Sequence, residues 1–252
     1  MSKDELIKRW EAEEIHAFEG WDFSHIDGRW SEPAPSWDYK AVVKSHLKDE
    51  DILLDMGTGG GEILLSINHP HENTFATEAY VPNFKLCKKV LSPLGITVVQ
   101  TYDDDKLPFE NDSFDVIINR HESFDLAEVG RTLRHKGYFI TQQVGNKNTN
   151  EFMQMLNDKD FIFDRTNHTV EKYVAALEKQ GFQIIETNEI EYPVKVYDVG
   201  ALVFQAKVIV WEYPDFSVKT HLDKLLDCNK IIEDKGFLEA TGHRFLIVAQ
   251  KI

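Results

Sequence analysis

Short apolar runs alternate with longer amphipathic stretches along most of this chain. The runs have the length of strands that are buried on both faces, as in a parallel sheet covered by crossover helices. The pattern predicts strands at 51–56, 74–78, 96–100, 114–119, 137–144, 182–192 and 244–250. It predicts helices at about 3–18, 61–68, 82–92, 122–134, 168–180 and 217–235. Because βαβ units are right-handed, this order indicates an α/β fold with an open, doubly wound, mostly parallel sheet.

The first part of the chain departs from this alternation. Residues 1–45 combine a predicted helix with a loop rich in aromatic residues and proline. We expect them to form an N-terminal helical cap on a single domain of residues 46–252. Trp30, Trp37 and Tyr39 either form a lid that excludes water from a bound ligand or anchor the cap in the core.

Two later segments, 145–167 and 193–216, are longer than ordinary loops. We expect them to be insertions above the carboxyl ends of the strands, where ligands bind in such sheets. The second contains an apolar stripe between Asp198 and Trp211 that begins with a helix-capping residue. Such a stripe is more typical of a core or of a dimer face than of a substrate pocket, so the sequence leaves a homodimer open.

Composition and charge limit which kinds of partner and which cellular compartment fit this protein. The 252 residues carry 28 basic and 43 acidic side chains, a formal charge of −15, which disfavours nucleic acid as a substrate. No apolar run is long enough to span a bilayer, and the charged N-terminus does not resemble a signal peptide. The two cysteines, Cys87 and Cys228, fall in predicted helices, so a reducing compartment is expected. We therefore predict a cytoplasmic protein with no membrane partner.

A glycine-rich turn after the first predicted strand is the most specific local signal. The strand ends in the residues DMGTGGGE, from Asp55 to Glu62, and a helix follows. Gly57 and Gly59 let a ligand approach the backbone, and the helix start supplies free amides. A dinucleotide site needs a third glycine where Glu62 stands, and Asp55 adds a second acid. These acids favour a cationic ligand such as S-adenosylmethionine over a diphosphate. Asp55 is alternatively an acceptor for the loop amides.

Further motifs follow at regular intervals. The second strand ends in Thr77-Glu78-Ala79, which places an acid where it can bridge ribose hydroxyls. The third strand is followed by DDDKLPF, residues 103–109, and then by NDSFDVII, residues 111–118. Together with D-x-G-x-G-x-G, these motifs resemble the class I S-adenosylmethionine-dependent methyltransferases over residues 50–145. One departure is that His135-Lys136 stands where the family usually has Pro-Gly.

The resemblance implies a Rossmann-like methyltransferase fold with a seven-stranded sheet whose last strand is antiparallel. It implies S-adenosylmethionine as cofactor, with the acid after the third strand near the adenine. The candidate cofactor-binding residues are Asp55, Gly57, Thr58, Gly59, Glu78, Ala79, Asp103, Asp104 and Asn119. No histidine or cysteine follows the acidic turn at ligand spacing, so we expect no metal.

The end of the fourth strand is the candidate acceptor site. Asn119, Arg120 and His121 lie where an acceptor binds in such sheets, and we name them as candidate catalytic residues. His121 has the chemistry of a base, and Arg120 that of a clamp for a substrate carboxylate. Alternate residues of a strand face opposite sides, so we expect only one of them to face the cleft directly. Hydrogen bonding at the strand end and surface ion pairing are the competing interpretation.

The predicted function is methyl transfer from S-adenosylmethionine to a small or medium-sized molecule. A methyltransferase acting on ribosomal or transfer RNA is one alternative, although the adenine-methylating (N/D)-P-P-(Y/F) motif is replaced by NRHE. A non-catalytic protein that binds S-adenosylmethionine is the other. A nicotinamide oxidoreductase is the least favoured class.

Overall fold

The computed structural model describes residues 1–103 and 105–252, and one twisted sheet runs through its centre. The strands are β1 (Trp30–Ser31), β2 (Leu53–Met56), β3 (Thr74–Glu78), β4 (Thr97–Gln100), β5 (Phe114–Arg120), β6 (Leu133–Val144), β7 (Phe182–Val196) and β8 (Leu238–Lys251). Their order across the sheet is β1-β7-β8-β6-β5-β2-β3-β4.

Helices cover both faces of this sheet. They are α1 (Lys3–Glu14), α2 (Tyr39–Ser45), α3 (Glu62–Ile67), α4 (Val81–Val90), α5 (Leu126–Thr132), α6 (Asn150–Leu156), α7 (Val170–Lys179), α8 (Val199–Val208) and α9 (Leu222–Lys235). Helix α1 ends at Glu14, earlier than the predicted residue 18, and the side chain of Glu13 in its last turn pairs with Arg29 and His25. Among the described residues, no helix has both the length and the apolar character needed to cross a membrane.

The strand directions confirm the predicted fold class. Strands β4, β3, β2, β5 and β6 are parallel, and β8 runs antiparallel to both β6 and β7. The sheet has eight strands rather than the expected seven. The extra strand is β1, which lies in a predicted loop and pairs with the end of β7, Trp30 opposite Val196. Two residues are too few to produce a periodic pattern, so this strand has no signal of its own in the sequence.

The apolar runs of the parallel strands are buried on both faces, as the pattern predicted. Leu53 and Ile118 belong to a core cluster that includes residues of α2, α3 and α4. Their neighbours Leu54 and Ile117 belong to a second cluster, which includes residues of α5 and α7. Period-2 alternation therefore sends successive residues into different cores, and both cores need apolar side chains.

A third core lies beyond the edge of the parallel strands. The hairpin of β7 and β8 is longer than predicted, and Leu238 to His243 pair with β7 alone before β8 reaches β6. Residues of α1, α6, α8 and α9 pack around this extension. The apolar stripe that begins at Asp198 forms α8, and Leu202 and Val203 are fully buried there. The helical part of the stripe is therefore core of one chain, and a homodimer stays a prediction.

Candidate functional site

The glycine turn follows β2 and leads into α3. Gly57, Gly59 and Gly61 have φ of 69°, 65° and 89°, values that a residue with a side chain rarely adopts. The amides of Gly57 and Thr58 both donate to the carbonyl of Thr77 in β3, at 3.1 and 3.0 Å. The turn is thereby held over the carboxyl ends of two neighbouring parallel strands.

Side chains of β3 and α4 hold the other half of the turn. The amide of Gly59 donates to Oε2 of Glu78 at 2.9 Å, and the thiol of Cys87 donates to the Gly59 carbonyl at 3.0 Å. Burial raises the pKa of Cys87 to about 12, so the thiol keeps the proton that it donates. Trp21 covers this part of the turn, since a Cβ on Gly59 would lie 2.9 Å from its Cδ1 atom.

Glu78 is buried at the end of β3 with both carboxylate oxygens in use. Oε2 accepts from the Gly59 amide, and Oε1 accepts from the amide of Tyr80 at 2.8 Å. Each oxygen retains further acceptor capacity, which a pair of ribose hydroxyls could use. Desolvation raises the pKa of Glu78, although the backbone amides oppose that shift. The residue both shapes the turn and presents acceptors beside it.

Asp55 is the second acid at this edge of the sheet. Only 6% of it is exposed, and burial raises the pKa of Asp55 to about 7. The charge of Arg120 opposes this shift and the charge of Glu78 adds to it. Because the pKa of Asp55 lies close to neutral pH, a nearby cation readily ionises its carboxyl group.

A small cleft opens beside the turn. Its described lining residues are Met56, Gly57, Thr77, Glu78, Ala79, Thr101, Leu107, Glu122 and Ser123. None of them is basic, so the cleft offers no positive charge to bind a diphosphate, whereas its two acids, Glu78 and Glu122, are compatible with a positively charged ligand. The side chain of Glu122 packs on Gly57, where an added Cβ would lie 2.3 Å from its Cγ atom. The hydroxyl of Thr101 is buried without a hydrogen-bond partner among the described residues, as expected for a group that faces a ligand.

The adenine candidates lie in the turn after β4. Asp103 is exposed there, and its carbonyl accepts from the amide of Lys106 at 3.4 Å. Asp104 lies outside the described residues. Ala79 lines the cleft next to Glu78.

On the acceptor side, four polar residues form a row along the carboxyl edge of the sheet. They are Asp55, Arg120, Gln142 and Arg244. Asp55 on β2 lies opposite Ile118, two residues before Arg120 on β5, and Arg120 lies opposite Gln142 on β6. Arg244 on β8 lies opposite Val144, two residues after Gln142. Residues that lie opposite each other, or two apart on one strand, share a face. All four therefore face the side that α2 covers.

Asn119 faces the other side, as strand alternation requires. Its Oδ1 accepts from the hydroxyl of Thr141 at 3.1 Å and from Nε2 of Gln143 at 2.5 Å. Its backbone carbonyl accepts from the hydroxyl of Tyr39 at 3.3 Å. The Nδ2 group of Asn119 is buried without a partner among the described residues. Of the three candidate catalytic residues, Asn119 is thus separated from Arg120 by the strand itself.

A chain of hydrogen bonds defines the protonation of His121. The indole Nε1 of Trp37 donates to Oε1 of Gln142 at 2.8 Å, and because an indole can only donate, the amide orientation follows. Nε2 of Gln142 then donates to Nε2 of His121 at 3.0 Å, so this ring nitrogen is an acceptor. Desolvation, followed by the charges of Arg244 and Arg120, lowers the pKa of His121 well below its ordinary value. His121 is a neutral ring with its proton on Nδ1, and its basic nitrogen is already engaged.

We expect nitrogen-15 NMR to show His121 neutral at pH 6, with the proton on Nδ1. Trp37→Phe removes the donor that orients Gln142, so the variant should show a mixture of tautomers. His135, which is exposed at the opposite edge of the sheet, provides a reference signal. A doubly protonated ring at pH 6 in the wild type, or a proton on Nε2, would contradict this assignment.

Several residues of this site have no clear signal in the sequence. Gln142 lies near the end of β6 and is placed opposite Arg120 by the parallel pairing of β5 with β6. Arg244 lies in a predicted strand, and its position on the same face as Arg120 depends on the antiparallel insertion of β8. Asn83, whose Oδ1 accepts from the Gly20 amide at 3.0 Å, and Cys87 are single polar residues on one helix. Only their spatial neighbours reveal their roles.

Known proteins share this architecture. Residues 54–141 match the family model of a methyltransferase domain. A candidate methyltransferase from Bacillus halodurans is similar in structure at 15% identity, over 85% of this chain and 98% of its own, with a TM-score of 0.58. The YcgJ protein from Bacillus subtilis is similar at 18% identity, over 84% of this chain and 97% of its own, with a TM-score of 0.57. A geranyl diphosphate methyltransferase solved with S-adenosylmethionine gives 14% identity, 84% of each chain and a TM-score of 0.50. A comparison with curated protein sequences finds no match.

The fold and the glycine turn define the doubly wound class of S-adenosylmethionine-binding domains. The matching family model identifies residues 54–141 as a methyltransferase domain, and the fold is consistent with the class I S-adenosylmethionine-dependent methyltransferases. The cofactor of this chain is S-adenosylmethionine, as the resemblance implied.

Proposed function

We propose that this chain methylates a small or medium-sized molecule, which binds between the carboxyl edge of the sheet and the N-terminal segment. The supporting observation is that this segment, the proposed cap of residues 1–45, crosses the edge and is tied to it at several points. The amide of Gly20 donates a hydrogen bond to Asn83 in α4, and the indole of Trp37 donates one to Gln142 in β6. The N-terminal segment therefore covers part of this edge, and a covered edge suits a small acceptor better than a nucleic acid.

In this proposal the turn and its neighbours hold the cofactor. The backbone of Gly57, Thr58 and Gly59 lies against it, and Glu78 accepts from its ribose hydroxyls. The remaining contacts come from the other candidates, Asp55 near the cationic groups, Ala79 and Asp103 with Asp104 near the adenine, and Asn119 at the end of β5.

The chemistry asks little of the protein beyond positioning. When bound, S-adenosylmethionine supplies a methyl group activated by a neutral leaving group. The chain holds the acceptor in line and excludes water, which by itself lowers the barrier substantially. Arg120 and His121 are the candidates for acceptor contacts. Since Nε2 of His121 accepts from Gln142, we assign His121 as a hydrogen-bond donor through Nδ1 rather than as a base.

The test is to incubate the protein with tritiated S-adenosylmethionine and either a small-molecule extract or total RNA. Label is expected in the small-molecule fraction. Label in RNA would contradict the proposal, and S-adenosylhomocysteine binding without any label transfer would favour a non-catalytic protein. A cytoplasmic location stays a prediction.

A matched pair of glycine variants controls this experiment. Gly57→Ala places a methyl group against Glu122 inside the cleft and should abolish label transfer. Gly181→Ala has similar backbone strain, with φ of 83° against 69°, but its added Cβ meets open space. It should therefore transfer label at close to the wild-type rate.

A further inference from the structure

Arg120 is the cation at this edge whose charge is not matched by a partner. Among the described residues, it makes no hydrogen bond within 3.5 Å and no ion pair within 4.0 Å. Its neighbour Arg244 is engaged, because Nη1 donates to Oδ1 of Asn148 and Nη2 lies 3.8 Å from Glu32. Arg165 is paired with Glu212 in the same region. A guanidinium has five donors and cannot lose its charge, so an unpaired one is available to a ligand.

Arg120 is accessible to a ligand at the carboxyl edge of the sheet. The residue reaches solvent, yet desolvation by surrounding protein lowers its pKa. His121 shows the same combination. An accessible side chain that is also partly desolvated makes stronger electrostatic interactions with a ligand than one that is fully hydrated.

The charges near Arg120 leave a local positive surplus. The charges of Asp55 and Glu32 attract its guanidinium from a distance, and the charge of Arg244 repels it. Tyr39 is a buried phenol whose pKa is raised well above its ordinary value, so it carries no charge at neutral pH. Asp55 is only partly ionised at pH 7. The two positive charges of Arg120 and Arg244 are therefore opposed by the charge of Glu32 and by the partial charge of Asp55.

We propose that Arg120, with Arg244 beside it, binds an oxyanion of the methyl acceptor, either a carboxylate or a phosphate. This inference rests on the proposed function and names its substrate class as an anionic small molecule. A protein with a charge of −15 repels anions at long range, so such an acceptor needs a local cationic site. The planar guanidinium group of arginine can donate two parallel hydrogen bonds to a carboxylate or to a phosphate. The Nδ1–H of His121 adds a neutral hydrogen-bond donor in the same part of the site.

The principal competing ligand is the carboxylate of the cofactor itself, and the experiment separates the two. Protein saturated with S-adenosylhomocysteine is titrated calorimetrically with sodium phosphate and with sodium benzoate, at constant ionic strength set with sodium chloride. We expect millimolar binding of at least one probe, weakened about 10-fold to 100-fold in Arg120→Gln, as for loss of a charge-assisted hydrogen bond. The preferred probe distinguishes a carboxylate from a phosphate acceptor. Arg120→Lys, which keeps the charge without the planar guanidinium group, should be intermediate.

The matched control is Arg134→Gln, which removes an arginine paired with Asp115 at the opposite edge of the sheet and should leave probe binding unchanged. Affinity for S-adenosylhomocysteine should stay within twofold of wild type in Arg120→Gln. A loss of that affinity would assign Arg120 to the cofactor and overturn the inference. Probe binding that is absent in the wild type, or unchanged in Arg120→Gln, would also overturn it. Label transfer to RNA would instead refute the proposed function, so the two failures are distinguishable.

Discussion

Glu78→Ala is expected to weaken S-adenosylhomocysteine binding about 100-fold and to lower the free energy of unfolding by about 2–3 kcal/mol. The affinity falls because the acceptors for the ribose hydroxyls are removed. The stability falls because the amides of Gly59 and Tyr80 both donate to this carboxylate and would be left without it. Calorimetric titration measures the first effect and urea denaturation the second.

Two further variants separate these contributions. Glu72→Ala removes an exposed acid just before β3, at the other edge of the sheet, and should change neither quantity. Glu78→Gln keeps an acceptor for one of the two amides but loses the charge, so we expect an intermediate loss of affinity. Wild-type affinity in Glu78→Ala would remove this residue from the cofactor site.

The second large effect concerns Asp55 and pH. Burial raises its pKa from 3.8 to about 7, so the folded protein holds this proton where the unfolded chain has released it. The resulting stability is fully present below pH 4 and is lost as pH rises to about 7. The shift of about three pKa units corresponds to roughly 4 kcal/mol in the free energy of unfolding. Asp55→Asn cannot ionise and should lose this pH dependence.

Denaturation of both proteins at pH 5 and pH 8 isolates this contribution, because all other titrating groups are common to them. Asp55→Asn should gain stability relative to wild type as pH rises. Binding of the cationic cofactor should also release a proton from Asp55, so affinity for S-adenosylmethionine should rise through pH 7 in the wild type and not in the variant. Parallel pH profiles of stability in the two proteins would show that Asp55 ionises normally.

The cofactor side of the molecule was largely predictable from the sequence. The first strand, the glycine turn and Glu78 are neighbours along the chain or across adjacent parallel strands, and parallel βαβ units leave few alternative arrangements. The strand predicted at 74–78 has those bounds in the structure. The antiparallel hairpin was predicted too short, because Pro193 and Gly242 interrupt the strand pattern where the missed part begins.

The acceptor side was predictable only in outline. Asn119, Arg120 and His121 were candidates from their position at the end of a strand, but their roles depend on residues distant in sequence. Gln142 determines which nitrogen of His121 carries the proton, and Trp37, 105 residues away from Gln142, determines how Gln142 is oriented. No local pattern contains that information.

The sequence by itself determined the fold class and the cofactor, and it predicted a place for the cofactor site, because these follow from local periodicity and from a motif within one βαβ unit. The tertiary structure alone decided which polar residues share a face at the carboxyl edge, which of them are already paired, and that Arg120 is not. The hydrogen-bond and ion-pair partners of a side chain, and its desolvation, depend on residues that are distant in sequence and are brought together only by folding.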